Sequence, residues 1–122
     1  MGKINSKKKG SAGEREWAGF CREQGYSESR RTAQYCGNTG DASDVVGLDY
    51  MHQEVKRVEA LNIYKAIEQA ENDSKKTKKI PMVAHRKNRK KWLVTMYAED
   101  WFKLYNEYYS GMKLDEMKLN ND

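Results

Sequence analysis

Scarcity sets the first limits on this chain of 122 residues. Its two cysteines, Cys21 and Cys36, are too few for a disulfide framework and sit at no zinc-binding spacing, so the expected compartment is a reducing cytoplasm. The two histidines, His52 and His85, are likewise too far apart to share a metal by local spacing. They are read as a residue at a site edge and a residue in a strand. No apolar run approaches the length of a membrane span, and the start Met1-Gly2-Lys3-Ile4-Asn5-Ser6 lacks the hydrophobic stretch of a secretory signal. No membrane partner is expected. The lone proline, Pro81, stands at the start of an apolar run, a strand position that tolerates it.

Acid is missing where base is dense. Lysine and arginine number 23 against 18 acids, and residues 75–91 hold nine of the bases (Lys75, Lys76, Lys78, Lys79, Arg86, Lys87, Arg89, Lys90, Lys91) with no acid at all. A field so one-sided attracts polyanions and releases their counterions on contact. Among these residues Lys87, Arg89, Lys90 and Lys91, with Arg30, Arg31 and Arg57, are the candidate phosphate contacts. Lys7, Lys8 and Lys9 join them from a basic N-terminal arm. Such contacts position a nucleic acid and carry no sequence information, which favours selection by shape.

The length suits one domain, divided as an arm over 1–10, a folded body over 11–109 and a polar tail over 110–122. Trp17, Phe20 and Cys21 at helical spacing, Ser11 as a cap with Glu14 three residues on, and Gly25 as a stop predict a helix over 11–24. A strand is expected over 29–35, then a loop at Gly37-Asn38-Thr39-Gly40-Asp41, then strands over 44–48 and 52–58 joined at Asp49-Tyr50-Met51. The stripe Leu61, Ile63, Tyr64, Ile67, Ala70 predicts a second helix ending near Asn72. Strands over 80–84 and 92–97 follow, turning at Lys87-Asn88-Arg89-Lys90, and a last helix spans 98–109. That helix carries more aromatic surface than one narrow stripe can bury, so part of it is expected to meet another subunit. The order implies an α/β fold with a central mixed sheet of about five strands flanked by helices.

The segment Gln53-Glu54-Val55-Lys56 carries the chemistry. Side chains alternate across a strand, so Glu54 and Lys56 project from one side and Val55 from the other. The strand has no clean apolar face, because His52, Glu54 and Lys56 alternate with Gln53, Val55 and Arg57. Asp44, heading the apolar run Val45-Val46-Gly47-Leu48, offers a second carboxylate from a neighbouring strand. Two carboxylates suit Mg²⁺, which takes oxygen ligands and shares them with phosphate, with Mn²⁺ as an expected substitute. An ammonium at the rim of such a pocket can orient water and stabilise charge on phosphate. Glu14, in the first turn of its helix, would complete the acidic cluster through a water.

In order, Lys9-Gly10-Ser11-Ala12-Gly13-Glu14-Arg15-Glu16, Asp44-Val45-Val46, Gln53-Glu54-Val55-Lys56 and the stretch from Ile63-Tyr64 to Gln69 resemble the PD-(D/E)xK nuclease superfamily, and within it the archaeal-type Holliday junction resolvases. Ser43 stands where the motif has proline, and Cys36-Gly37 stands where many resolvases have Ser-Gly. The resemblance implies a restriction-endonuclease-like core, catalytic roles for Glu14, Asp44, Glu54, Lys56 and Gln69, and a metal held by Asp44, Glu54, the Val55 carbonyl and Glu14. It implies a Mg²⁺-dependent endonuclease for branched DNA, acting as a homodimer whose two-fold symmetry mirrors that of the junction. The alternatives are a flap, duplex or general nuclease of the same superfamily, and a basic DNA-binding module without hydrolysis. The N-terminus also formally matches an N-myristoylation pattern followed by Lys7-Lys8-Lys9, which would make a membrane anchor.

Overall fold

The computed structural model describes residues 6–32 and 43–120, with side chains from residue 10 onward. The expected loop at 37–41, Cys36, and the second half of the strand expected over 29–35 lie outside the described residues. Among the described residues, three helices and five strands follow in the order α1 (Ser6–Glu23), β1 (Arg30–Arg31), β2 (Val45–Val46), β3 (Met51–Arg57), α2 (Ile63–Ser74), β4 (Ile80–Arg86), β5 (Leu93–Thr95) and α3 (Ala98–Asn120). None of these helices is long and apolar enough to cross a membrane.

The strands form one mixed sheet in sequence order. All neighbours run antiparallel except β3 and β4, which pair in parallel from Met51↔Ile80 to Arg57↔Arg86. A parallel pair needs a crossover, and α2 supplies it. With α1 on one face and α2 on the other, the molecule has the layered α/β arrangement of a restriction-endonuclease-like core.

Each face has its own core. Against α1, Trp17, Ala18 and Cys21 pack with Val45, Val55, Met82 and Ala84. Trp17 lies between Phe20 and Trp92, at ring-centroid distances of 5.6 and 5.1 Å, and aromatic pairs of this kind add about 0.5–1.5 kcal/mol beyond their buried area. Against α2, Ala66, Ile67 and Ala70 pack on Val83. The alternation of strand side chains therefore sends Val45, Gln53 and Val55 towards α1 and leaves Asp44, His52, Glu54 and Lys56 for the side of α2.

Helix α1 starts at Ser6, five residues ahead of the expected cap. Lysine is a good helix former, and a helix already nucleated by packing extends cheaply through residues 7–9. Ser11 is consequently inside the helix, where its hydroxyl accepts from Arg31 Nη2 at 2.9 Å instead of capping. Gly13 lets the helix approach the sheet: a Cβ there would lie 2.6 Å from Arg57 Cβ. Helix α2 is capped by Asn62, whose side chain accepts from Lys65 N at 3.1 Å. Helix α3 runs to Asn120, well past the expected 109, because Met112, Lys113, Leu114, Glu116 and Met117 all favour helix and Lys113 pairs with Glu116 at 3.4 Å. None of its residues is buried.

Candidate active site

The antiparallel pair Val45↔Gln53 brings Asp44, the residue before Val45, alongside Glu54. The backbone holds Asp44 there: Asp44 N donates to Gln53 O at 2.9 Å, and Val55 N donates to Asp44 Oδ2 at 2.9 Å. Glu54 is only 2% exposed. Burial first, and then the Glu54 charge, push the Asp44 carboxyl from 3.8 up to about 7, with a hydrogen bond to Glu54 and the charge of Glu14 adding to the rise and the Val55 N–H opposing it. The physical content is simple. Burial and a neighbouring negative charge both disfavour the ionised form of Asp44, so it holds its proton to a higher pH than a free carboxyl does.

Lys56, next but one along β3, points to the same side as Glu54. Its Nζ donates to Gln69 Oε1 on α2 at 3.4 Å. Asp44, just before β2, thus meets Glu54 of β3, and Lys56 of the same strand pairs with Gln69 of α2 on that side of the sheet. Glu14 comes from the other layer. Its charge is felt at Asp44, but its Oε2 accepts from Arg31 Nε at 2.7 Å.

Two further residues belong to this cluster. His52, fully buried on β3, places Nε2 3.0 Å from Glu54 Oε1 and Nδ1 2.9 Å from Ser43 Oγ. Asp73, exposed on α2, offers a carboxylate oxygen within 4.8 Å of ligand atoms of His52 and Glu54. The sequence reading gives neither a part in the site, although the spacing holds a signal: His52 is two residues from Glu54 on a strand, and Asp73 is four from Gln69 on a helix. His85 stands apart, bonded to Thr95 Oγ1 at 2.8 Å, with burial lowering its pKa.

The donor set suits a hard divalent cation. Oxygen ligands from adjacent strands are forced together in a largely buried place where Asp44 holds its proton to higher pH than a free carboxyl does, and a cation could take the place of that proton.

The basic residues divide into two groups. Lys87, Arg89, Lys90 and Lys91 are exposed at the β4–β5 turn, and Arg30 is exposed with its Nη1 donating to Glu28 O at 3.2 Å. Arg31 is bonded to Glu14, whereas Arg57 donates to Glu16 at 3.2 Å and Asn88 at 2.9 Å. Lys7, Lys8 and Lys9 fall in the first turns of α1. A cleft of about 630 Å³ lined by Arg15, Glu16, Phe20, Arg86, Lys91 and Trp92 lies on the α1 side and includes none of Asp44, Glu54 or Lys56.

Compared with known proteins, residues 5–121 match the family model described as "Phage putative PDDEXK endonuclease". No curated protein and no solved structure matches the chain.

Proposed function

Since the chain belongs to that PDDEXK endonuclease family, we propose that it is a Mg²⁺-dependent endonuclease of branched DNA, a Holliday junction resolvase, that hydrolyses phosphodiesters at the Asp44–Glu54–Lys56 cluster. The observation that carries this is the meeting of Asp44 with the buried Glu54 of the neighbouring strand, with Asp44 Oδ2 held by Val55 N at 2.9 Å and Lys56 two residues beyond Glu54. Asp44, Glu54 and the Val55 carbonyl are assigned to the cation, with Glu14 behind them. When bound, Mg²⁺ or Mn²⁺ would make a nucleophile of water at neutral pH and neutralise charge gathering on the phosphate.

The protein's own groups do the rest. Lys56, steadied by Gln69 Oε1 at 3.4 Å, offers a compact positive charge and donors to the attacking water and the phosphate. Arg31 holds Glu14 at 2.7 Å and so keeps that carboxylate from drifting into the pair. The β4–β5 turn, with Lys87, Arg89, Lys90 and Lys91, takes backbone phosphates, which supplies affinity without base reading.

A homodimer is part of the proposal, because cutting two strands of a junction symmetrically needs two sites. It is supported by α3, where Trp101, Phe102, Tyr105, Tyr108, Tyr109 and Met112 are all exposed. Uncovered apolar surface of this extent marks an association face.

The test is incubation with synthetic four-way junctions and matched linear duplexes, in Mg²⁺ or chelator, beside Glu54→Gln. Paired nicks in the junction alone, lost with Glu54→Gln, are expected. Cutting of every duplex would instead identify a general nuclease, and binding without cutting would identify a non-hydrolytic module.

A further inference from the structure

From the buried chain of hydrogen bonds Ser43–His52–Glu54, we infer that His52 is a positioning residue that fixes the Glu54 carboxylate for the cation, with Ser43 setting the imidazole. This rests on the assignment of Glu54 to the metal made above. The three residues are 3%, 0% and 2% exposed, so little water competes for their hydrogen bonds.

The direction of each bond follows from the chemistry of the groups. An ionised carboxylate only accepts, so His52 Nε2 carries the hydrogen and donates to Glu54 Oε1 across 3.0 Å. With the imidazole neutral and its hydrogen on Nε2, Nδ1 is bare, and we assign it as the acceptor of the Ser43 hydroxyl across 2.9 Å. Each ring nitrogen is then used, and no lone pair remains for an ion. His52 therefore acts through Glu54, although it lies near Asp73 in a cluster that resembles a metal site.

The consequence for Glu54 is that Oε1 is tied back by the histidine and the other carboxylate oxygen is left for the cation. A carboxylate held at one oxygen cannot rotate away, and such outer hydrogen bonds raise the affinity of a metal site. The arrangement also gives Ser43 a purpose. Proline at this position has no hydroxyl and could not hold the imidazole in this way.

The experiment measures the Mg²⁺ and Mn²⁺ affinities of the DNA-free full-length protein by calorimetry, and the cation concentrations that half-maximally support junction cleavage. Four variants are compared: His52→Leu, which keeps bulk and loses the donor; His52→Gln, whose side-chain amide can still donate; Ser43→Ala; and Glu54→Gln. Removing a hydrogen bond of this kind costs about 10–100-fold in metal affinity, so His52→Leu should need at least about tenfold more cation and recover most of its kcat at saturating cation. Ser43→Ala should shift in the same direction, and His52→Gln should stay within about threefold of wild type. The inference is overturned if His52→Leu and Ser43→Ala both match wild type, while Glu54→Gln still abolishes both responses. It is also overturned if His52→Gln is as impaired as His52→Leu, which would give the imidazole to the ion itself. Should His52→Leu fail to fold, an unchanged Ser43→Ala is sufficient to reject the relay. If instead Glu54→Gln leaves metal response and cleavage intact, the assignment of Glu54 to the metal falls first, whatever the histidine variants do.

Discussion

Asp44→Asn should stabilise the cation-free protein at neutral and alkaline pH while removing its ability to cut DNA. The carboxyl takes its proton near 3.8 in the unfolded chain and up to about 7 in the fold. Between those values the native state binds more protons than the unfolded state, so stability falls as pH rises through the window and levels off above about 7. At about 1.4 kcal/mol per tenfold change in proton affinity, the loss has an upper bound of roughly 4 kcal/mol. Asparagine keeps an oxygen for the Val55 N–H and carries no charge, so the variant should gain about 1–3 kcal/mol at pH 8 in chelator. Urea unfolding from about pH 5 to 8.5, with chelator, reads this directly: the wild-type midpoint should decline with pH and that of Asp44→Asn should be flatter. Parallel profiles, or a variant less stable than wild type at pH 8, would refute the reasoning.

Gly13→Ala should destabilise, because its new methyl meets Arg57 Cβ at 2.6 Å and forcing α1 off the sheet costs about 1–3 kcal/mol. Gly10→Ala, in the same helix with nothing within 4 Å, should instead gain up to about 1 kcal/mol from helix propensity; a lower urea midpoint for the second, or a higher one for the first, contradicts the packing. Replacing Lys87, Arg89, Lys90 and Lys91 together by alanine should flatten the dependence of log affinity on log salt by about 0.9 for each phosphate that is no longer neutralised. An unchanged salt slope would move the DNA elsewhere on the surface.

Much of the fold was legible in the residues, because each element buries one face and its period shows it. Trp17 and Cys21 announced α1, and Ile67 and Ala70 announced α2. Lys56 and Glu54 declared a shared side by alternation alone, and their failure to leave β3 an apolar face was the clue that the strand held chemistry. The helix ends were not legible. Polar residues such as Lys7 to Lys9 have no period to read, yet they extend a helix nucleated by neighbouring packing. The role of Ser43 and His52 was hidden for a different reason: it depends on which residues face each other across the β2–β3 pair, and one step of register would send His52 to the α1 side. Arg31 and Arg57 looked like free cations in the sequence, and only the approach of α1 to the sheet supplies Glu14 and Glu16 as their partners.

That Asp44 and Glu54 share one divalent cation in place of one proton can be measured by titrating Mn²⁺ into the DNA-free protein by calorimetry, in buffers of different ionisation enthalpy. Binding should release most of one proton at about pH 6.5 and almost none at about pH 8.5, and Asp44→Asn should neither bind comparably nor release it. Binding that liberates no proton at the lower pH, or that persists undiminished in Asp44→Asn, would contradict the account.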